Sequence, residues 1–410
     1  MKPFSIRYGG GPIDFRSLFL KFCGFLQGKK VVILESEPQK IGEILAASNR
    51  KGTFIETLIA APAWAPIIST ESVDDETWQE LSQNFKSILG QTNWRTRLKE
   101  ISKESLSILI EQTRSNPSLI VDAETISRLT LRVLYQLVFE HPISIQDEAL
   151  FYSASIEWRK EIGMKGTANP AVKMKFWERL NEIVTASKTS SNPPSSTQDP
   201  DLWVSAFAQP WIISPQINVS DIMVAVFHFL RTQPEMLEKA KAWAKNHDRV
   251  RVGGIILEAI RLKHPFPILE RELEKGTCVF GEKLGKNTQF FLIMDRFKQD
   301  PEFLPERWLE ASSKNPYHHL PFGAGPRMCA GKPIAMELMV DLLQAFLEHV
   351  PFRRIQPSIG HLYSGRNNDS KTNIFESLHQ IKTLTQAANA SLCLRHQTGK
   401  KATDSIEKTP

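Results

Sequence analysis

The chain of 410 residues is poor in cysteine, with only Cys23, Cys278, Cys329 and Cys393. Four cysteines so widely separated exclude a disulfide framework and suit a reducing compartment. The chain also lacks an apolar run that approaches the roughly 18 to 20 residues of a membrane span. The best candidate, 17–26, is short, contains a lysine and has no small-residue cleavage site. We therefore expect no transmembrane segment and a cytoplasmic location.

A compact basic motif is also absent, so the sequence does not indicate a partner made of nucleic acid. The formal net charge is nevertheless +6 and the isoelectric point is about 9.0, which suits an acidic partner or an anionic surface. Hydrophobic residues make up 41% of the chain and charged residues 23%, an ordinary globular composition. A core large enough to enclose a cofactor is therefore available.

The pattern of apolar residues predicts a mainly α protein with a minor β component near both ends. A β-branched run followed by helical spacing over 29–45 predicts a strand that leads into a helix. Helical patterning covers 74–138 and 202–262, and an irregular, β-rich stretch follows at 265–316. The stretch 333–350 is an amphipathic helix with a proline in its first turn.

These elements predict a single domain over 1–397. A segment rich in Ser, Pro and polar residues, at about 187–201, is expected to be a mobile surface loop inside that domain, although an interdomain linker has a similar composition. The stretch 398–410 has the composition of a disordered tail.

Glycine and proline crowd around one cysteine in the stretch "PFGAGPRMCAGKPIA" at 321–335. A cysteine thiolate is a strong, soft iron ligand that needs amide donors and positive charge nearby. Gly323, Gly325 and Gly331 let the backbone turn its N–H groups toward Cys329. The positive end of the helix that follows also favours a thiolate. A buried structural cysteine is the ordinary alternative, and the distance to other cysteines argues against zinc.

The spacing of this segment resembles the heme-binding loop of the cytochrome P-450 family. Phe322, Gly323, Gly325, Arg327, Cys329 and Gly331 occupy the positions of that motif. The resemblance implies heme b as cofactor, with Cys329 as the axial thiolate ligand of the iron. It also implies that Arg327 pairs with a heme propionate.

A second stretch, "GGIILEAIRL", carries only two charges in an apolar helical run. Glu258 and Arg261 are three residues apart and share one helix face. Among apolar residues such a pair is expected to be buried and to need a further partner, whereas on an exposed helix it would be an incidental salt bridge. The family has such a pair, and the segment "PERW" resembles the one that completes it, with Arg307. The resemblance implies a structural role for the trio, behind the heme.

Two further residues resemble family positions that contact a heme propionate. Trp78 stands where the family has a tryptophan, but Ser82 replaces the arginine that usually follows four residues later. Arg271, soon after the turn at 265–267, resembles a propionate arginine.

The pattern departs from the family in the long central helix. Oxygen-activating members carry an acid and an alcohol there, which deliver protons. Counting back from Pro234, these positions hold Ile217 and Asn218. Ser214 and Pro215 resemble an N-cap and a first-turn proline, so one interpretation is that the central helix breaks there. The other is that the helix presents Asn218 as a catalytic amide. The two interpretations are compatible.

The resemblance implies the soluble form of the P-450 fold. It also implies the oxidation of an apolar small molecule, by monooxygenation or oxidative coupling. This reaction is expected to have a role in specialised metabolism. The implied electron donor is a small acidic redox protein such as a ferredoxin. The alternatives are a reductase-independent heme isomerase or dehydratase of a peroxide, and a non-catalytic heme sensor or carrier. The predicted substrate pocket consists of Ile213, Gln216, Ile217, Asn218, Phe266, Ile268 and Leu269.

Overall fold

A computed structural model describes most of the chain between Ser5 and Gln356. The described residues are 5–8, 29–35, 37–48, 50–52, 61–91, 93–162, 166–187, 199–266, 268–273, 276–286, 288–294, 300–310 and 315–356. The predicted tail at 398–410, the stretch 17–26 and most of the predicted loop at 187–201 lie outside them. The domain bounds therefore stay a prediction.

Helices dominate the described residues, as the sequence predicts. In chain order they are α1 (Pro38–Ala47), α2 (Ala61–Trp64), α3 (Asp75–Gln91), α4 (Trp94–Ser115), α5 (Ala123–Phe139), α6 (Ile145–Ile162), α7 (Pro170–Ala186), α8 (Pro200–Phe207), α9 (Ser214–Thr232), α10 (Pro234–Lys245), α11 (Arg249–Leu262) and α12 (Lys332–His349). Because Asp199 caps α8 with its side chain and Pro200 fills the first turn, the helix begins inside the predicted loop.

Six strands make up the minor β component of the described residues. They are β1 (Ser5–Tyr8), β2 (Lys30–Glu35), β3 (Ile268–Glu272), β4 (Thr277–Val279), β5 (Glu282–Leu284) and β6 (Thr288–Ile293). The larger sheet has the order β1-β2-β6-β3, in which only the β3–β6 pair is antiparallel. The strands β4 and β5 form a separate hairpin. The prediction of β structure near both ends is confirmed.

The main hydrophobic core lies between the helices, with α9 at its centre. Alternating residues of β2 and β6 supply apolar side chains to both faces of the sheet, and α1 covers one of these faces. One described helix, the continuous run Pro200–Thr232, is long and apolar enough to cross a membrane by length and composition. Most of its apolar window is buried in the protein, as in the core helix of a globular domain.

The central helix does not break at Ser214 and Pro215. Instead, α8 continues through a π-helical segment, Ala208–Ile213, directly into α9. Ser214 has helical backbone angles, φ −62° and ψ −42°, and its N–H donates to the carbonyl of Gln209. Because Pro215 has no N–H to donate, the chain accommodates it by a wider turn upstream. The expectation of an N-cap at Ser214 is therefore wrong.

Candidate functional site

The loop before α12 folds back sharply at Cys329. Gly323 and Gly325 adopt φ values of +74° and +69°. A side chain at Gly325 would meet the carbonyl oxygen of Leu45 at 2.6 Å, so only glycine fits where this loop passes α1. The N–H of Cys329 donates to the carbonyl oxygen of Phe322 at 2.9 Å, which closes the turn.

The sulfur of Cys329 receives the polar groups that the sequence predicts. Loss of solvent around the thiol raises the pKa of Cys329, and hydrogen bonds from the backbone amides of Gly331 and Lys332 oppose this rise. Cys329 is nevertheless exposed to solvent. Such a thiol favours its ionised form when a cation binds it, as a metal does.

The buried ion pair has more partners than the sequence predicts. Arg261 donates to both carboxylate oxygens of Glu258, at 2.7 and 3.0 Å, and neither side chain is exposed. Arg307 donates to the same carboxylate at 3.0 Å. The indole N–H of Trp308 and the backbone N–H of Leu304 complete the set, at 2.8 and 3.0 Å.

Asp300 is the second acid of this network, and sequence reasoning missed it. Its carboxylate accepts two hydrogen bonds from Arg307, at 2.6 and 2.8 Å, and its backbone carbonyl accepts one from Arg261. The guanidinium of Arg261 also lies 4.8 Å from the ring centre of Tyr317. Two arginines and two acids thus balance their charges, as a buried network requires. Asp300 lies outside the two short motifs, so only the three-dimensional structure reveals it.

Two of the residues predicted to contact the cofactor come together at the start of α3. The guanidinium carbon of Arg327 lies 4.5 Å from the ring centre of Trp78, within the range of a cation–π interaction. Arg327 also binds the carboxylate of Asp74 and donates to the carbonyl oxygens of Thr70 and Val73. A protein carboxylate therefore already balances the charge of Arg327. Its pairing with a propionate stays a prediction.

Arg271 lies in β3, where it is buried and donates to the carbonyl oxygen of Glu270 at 2.6 Å. Phe322 is half-buried under the ammonium group of Lys332, which lies 5.7 Å from its ring centre. The structure thus keeps both residues in well-packed surroundings. Neither arrangement tests the predicted contact of Arg271 with a propionate.

The predicted substrate pocket is only partly a common surface. Ile217 and Asn218 are half-buried on α9, whereas Ile213 is fully buried in the main core. Gln216 is also fully buried, because its side chain bonds to the hydroxyl of Ser155 on α6 and to a carbonyl of its own helix. The contact of Ile213 and Gln216 with substrate stays a prediction.

The two predicted pocket residues of β3 lie on different faces of the larger sheet. Ile268 packs with the apolar residues on one face of the larger sheet and Leu269 with those on the other. Neighbouring residues of a strand point to opposite faces, so the two side chains do not line one cavity. Phe266 is half-buried just before the strand and is the remaining apolar candidate there.

Within the described ranges, no three His, Cys, Asp or Glu side chains come together to hold a metal ion. A heme iron needs only one or two ligands from protein side chains, and Cys329 can supply one. A porphyrin supplies four nitrogen ligands. On the cysteine side, the exposed thiol, the amide donors and the glycine turn fit heme.

Comparison with known proteins agrees with this geometry. The family model described as "Cytochrome P450" matches residues 252–358, which include the buried network and the cysteine loop. A crystal structure of a six-coordinated cytochrome P450 from Thermus thermophilus covers 84% of this chain and 91% of its own, with a TM-score of 0.58 and 17% identity. A zebra fish cytochrome P450 structure with abiraterone gives a TM-score of 0.59 and 18% identity. It covers 77% of this chain and 85% of its own.

The similar curated proteins match over shorter stretches. The mitochondrial 1,25-dihydroxyvitamin D(3) 24-hydroxylase of Mus musculus is 41% identical over 93 residues, 21% of this chain and 18% of that protein. Cytochrome P450 4V2 of Homo sapiens is 32% identical over 104 residues, 23% of this chain and 20% of that protein. The matches therefore span about a fifth of these relatives' length.

The fold is that of cytochrome P450 structures, a heme-thiolate class of protein. The match of residues 252–358, which include the cysteine loop, supports the cytochrome P450 family for this chain. The fold of this family and the residues around Cys329 imply heme with an axial cysteine thiolate.

Proposed function

We propose that the protein is a heme-thiolate oxidoreductase of the monooxygenase type that acts on an apolar small molecule. The observation that carries this proposal is the geometry of Cys329. Cys329 is exposed, its sulfur accepts hydrogen bonds from two backbone amides, and it lies in a loop in which Gly323 and Gly325 adopt positive φ. No structural cysteine needs this combination, whereas a thiolate ligand of iron does.

In this proposal Cys329 holds the iron, and the buried network around Glu258 keeps α11 and the segment 300–308 in fixed positions. When bound, heme supplies the one-electron and oxygen chemistry that protein side chains lack. The chain's own contribution is to exclude water, to hold the thiolate and to orient the substrate. The half-buried Ile217 and Phe266 are the apolar residues that we expect to contact substrate.

A small acidic redox protein is the electron donor that the charge of the chain favours. The net charge of +6 attracts an acidic protein and speeds its association. Met328 is 47% exposed beside Cys329, and an apolar side chain among basic residues is typical of a transient docking surface. We propose a ferredoxin-like protein in the cytoplasm as the donor, and oxidative coupling in specialised metabolism as one form of the reaction.

The identity of two residues on α9 favours a second candidate function. Ile217 and Asn218 stand where oxygen-activating enzymes need an acid and an alcohol, and neither side chain relays a proton. A protein without that pair suits the rearrangement of a pre-formed hydroperoxide or endoperoxide, which needs no reductase. Anaerobic incubation with a panel of hydroperoxides and no reductant separates the candidates. Fast turnover there, and none with a reductase system, would establish the second one.

Replacement of the cysteine ligand tests the main proposal. The purified protein is titrated with heme, reduced under carbon monoxide and scanned for the red-shifted Soret band of thiolate ligation. We expect one heme per chain and the shifted band in the unchanged protein, and loss of the band in Cys329→Ser. The exchanges Cys23→Ser and Cys393→Ser serve as controls and should keep the band. A Cys329→Ser protein that retains it would overturn the assignment.

A further inference from the structure

The side chain of Arg327 is enclosed where the cysteine loop meets the segment that leads into α3. Only 2% of this side chain is exposed, and its guanidinium lies over the ring of Trp78. The carbonyl oxygens of Thr70 and Val73 accept hydrogen bonds from its two terminal nitrogens, at 3.1 and 3.0 Å. A guanidinium is always charged, so these neutral acceptors leave a full positive charge to be balanced.

Asp74 supplies the balancing negative charge. Its Oδ1 accepts a hydrogen bond from the same guanidinium nitrogen that donates to the carbonyl oxygen of Val73. Only 11% of the Asp74 side chain is exposed, so water and salt screen this ion pair less than they screen a pair on the surface. A second carboxylate that approached Arg327 would be repelled by the first. The contact with Asp74 therefore competes with any contact between Arg327 and a heme propionate.

The carboxylate of Asp74 is also held from a third direction. The backbone N–H groups of Lys51 and Gly52 donate to its Oδ1 and Oδ2, at 3.0 and 3.2 Å. Gly52 adopts a φ of +94°, and a side chain there would meet the side-chain oxygen of Gln289 at 2.3 Å. Only glycine fits at this position, so the two N–H groups come from a closely packed segment. Asp74 is thus oriented by the backbone as well as by Arg327.

The sequence also lacks a cation one turn further along α3. The position four residues after Trp78 holds Ser82, whose hydroxyl carries no charge. The enclosed Arg327 and the neutral Ser82 are the two positions at which the family resemblance implies positive charge near the start of this helix. Neither offers a propionate an unbalanced positive charge.

We propose that Asp74, and not a heme propionate, is the ionic partner of Arg327. Asp74 is then a positioning residue that ties the cysteine loop to the segment 50–52 and to the start of α3. Arg327 fixes the loop that carries Cys329 and does not anchor the cofactor by its charge. The inference rests on the proposed function, since it concerns how the chain holds heme.

Heme and its dimethyl ester, in which both propionates are neutral, test this inference. The heme-free full chain is titrated with each ferric compound, and the dissociation constant of the ester is divided by that of heme. This ratio measures how much the propionate charges contribute to binding. Other contacts, such as the one predicted for Arg271, contribute to every variant, so the ratio is compared between variants.

Arg327→Gln separates a structural tie from a propionate anchor. We expect it to weaken the binding of heme and of the ester by the same factor, because the cysteine loop loses its tie to α3. The ratio should therefore stay as it is in the unchanged protein. If Arg327 pairs with a propionate, only heme will bind more weakly and the ratio will fall, which would overturn the proposal.

Asp74→Asn tests the competition from the other side. Without the acid, the charge of Arg327 becomes available to a propionate, and the ratio should rise about tenfold, as expected for a new charge-assisted hydrogen bond. Asp74→Glu keeps the carboxylate and should keep the original ratio. Asp75→Asn is the matched control, since Asp75 is mostly exposed and pairs with Arg50. Equal ratios in Asp74→Asn, Asp75→Asn and the unchanged protein would overturn the proposal.

Failure of the proposed function gives a different result. If the unchanged protein binds neither compound with the red-shifted Soret band under carbon monoxide, the function itself is wrong and the inference falls with it. If it binds both with that band, and the ratio falls in Arg327→Gln or stays constant in Asp74→Asn, the inference alone is wrong. Should one of these two variants fail to fold, the ratio of the other decides.

Discussion

The cysteine loop with its buried network and one face of the central helix differ in how their polar groups are paired. Around Glu258, five donors converge on one carboxylate that is not exposed. The central helix has a less buried face, formed by Pro210, Ser214, Pro215, Ile217 and Asn218, which we call the open face; there a single side-chain contact, from the amide of Gln209, holds the hydroxyl of Ser214. Polar groups that use all of their hydrogen-bonding capacity within the protein stabilise its structure, whereas groups with few protein partners are available to a ligand.

Because the two regions differ in this way, substitutions in them should affect different properties of the protein. Removal of a group from the saturated region should lower the free energy of unfolding and release the cofactor. Removal of a group from the open face should change ligand spectra with little effect on folding. Four substitutions test this contrast, in order of decreasing effect on stability.

Glu258→Ala should have the largest effect. It leaves Arg261 and Arg307 without their shared carboxylate in a buried place, which costs about 3 to 5 kcal/mol. We expect poor folding and loss of heme, measured by denaturant unfolding and heme content. Glu306→Ala is the control, because Glu306 forms an exposed ion pair with Lys239. A stable, heme-loaded Glu258→Ala protein would show that the buried network around Glu258 does not stabilise the fold.

Gly325→Ala should be nearly as damaging. The new methyl group would lie 2.6 Å from the carbonyl oxygen of Leu45, on a backbone with φ of +69°. Overpacking and the left-handed conformation together cost about 3 kcal/mol. Gly90→Ala is the control, since no neighbouring atom lies within 4 Å of the added methyl group. Equal unfolding midpoints for the two variants would refute the close approach of the loop to α1.

Asp74→Asn should have an intermediate effect. The carboxylate of Asp74 binds Arg327 and accepts hydrogen bonds from the backbone of Lys51 and Gly52, at 3.0 and 3.2 Å. Loss of its charge weakens bonds to a cation, at a cost of about 2 kcal/mol. Asp75→Asn should change stability little, because Asp75 is mostly exposed. If Arg327 instead relies on a propionate, Asp74→Asn will destabilise the heme-free protein but not the heme-loaded one.

Pro215→Ala should have the smallest effect on stability and a clear effect on spectra. Alanine restores a backbone donor in the helix interior, so stability should change by less than about 1 kcal/mol or increase. The π-helical segment should relax and Ser214 should move. The infrared C–O stretching band of carbon monoxide bound to the reduced, heme-loaded protein should therefore shift. Pro170→Ala is the control, because a proline in the first turn of α7 fits the helix without strain. An unchanged band in Pro215→Ala would show that Pro215 does not shape the open face.

Short-range patterns predicted much of this molecule. The helices after Asp74, the strand at Lys30–Glu35 and the helix that follows Cys329 are confirmed, because amphipathic spacing and turn chemistry act within a few residues. The partner of Glu258 within its own helix follows from three-residue spacing. The roles of Asp300 and Trp308 could not be predicted from local spacing, since these residues reach the ion pair from distant parts of the chain.

The sequence by itself determined the thiolate loop, because glycines, an arginine and a cysteine at fixed spacing leave few other conformations and uses. Only the tertiary structure decided where the central helix opens. Ser214 and Pro215 have the local chemistry of a helix start, yet α5 and α6 pack against both halves and keep the helix continuous. Packing outweighs local propensity there, because a broken central helix would expose the main core, whereas a π-helical turn costs only one irregular hydrogen bond.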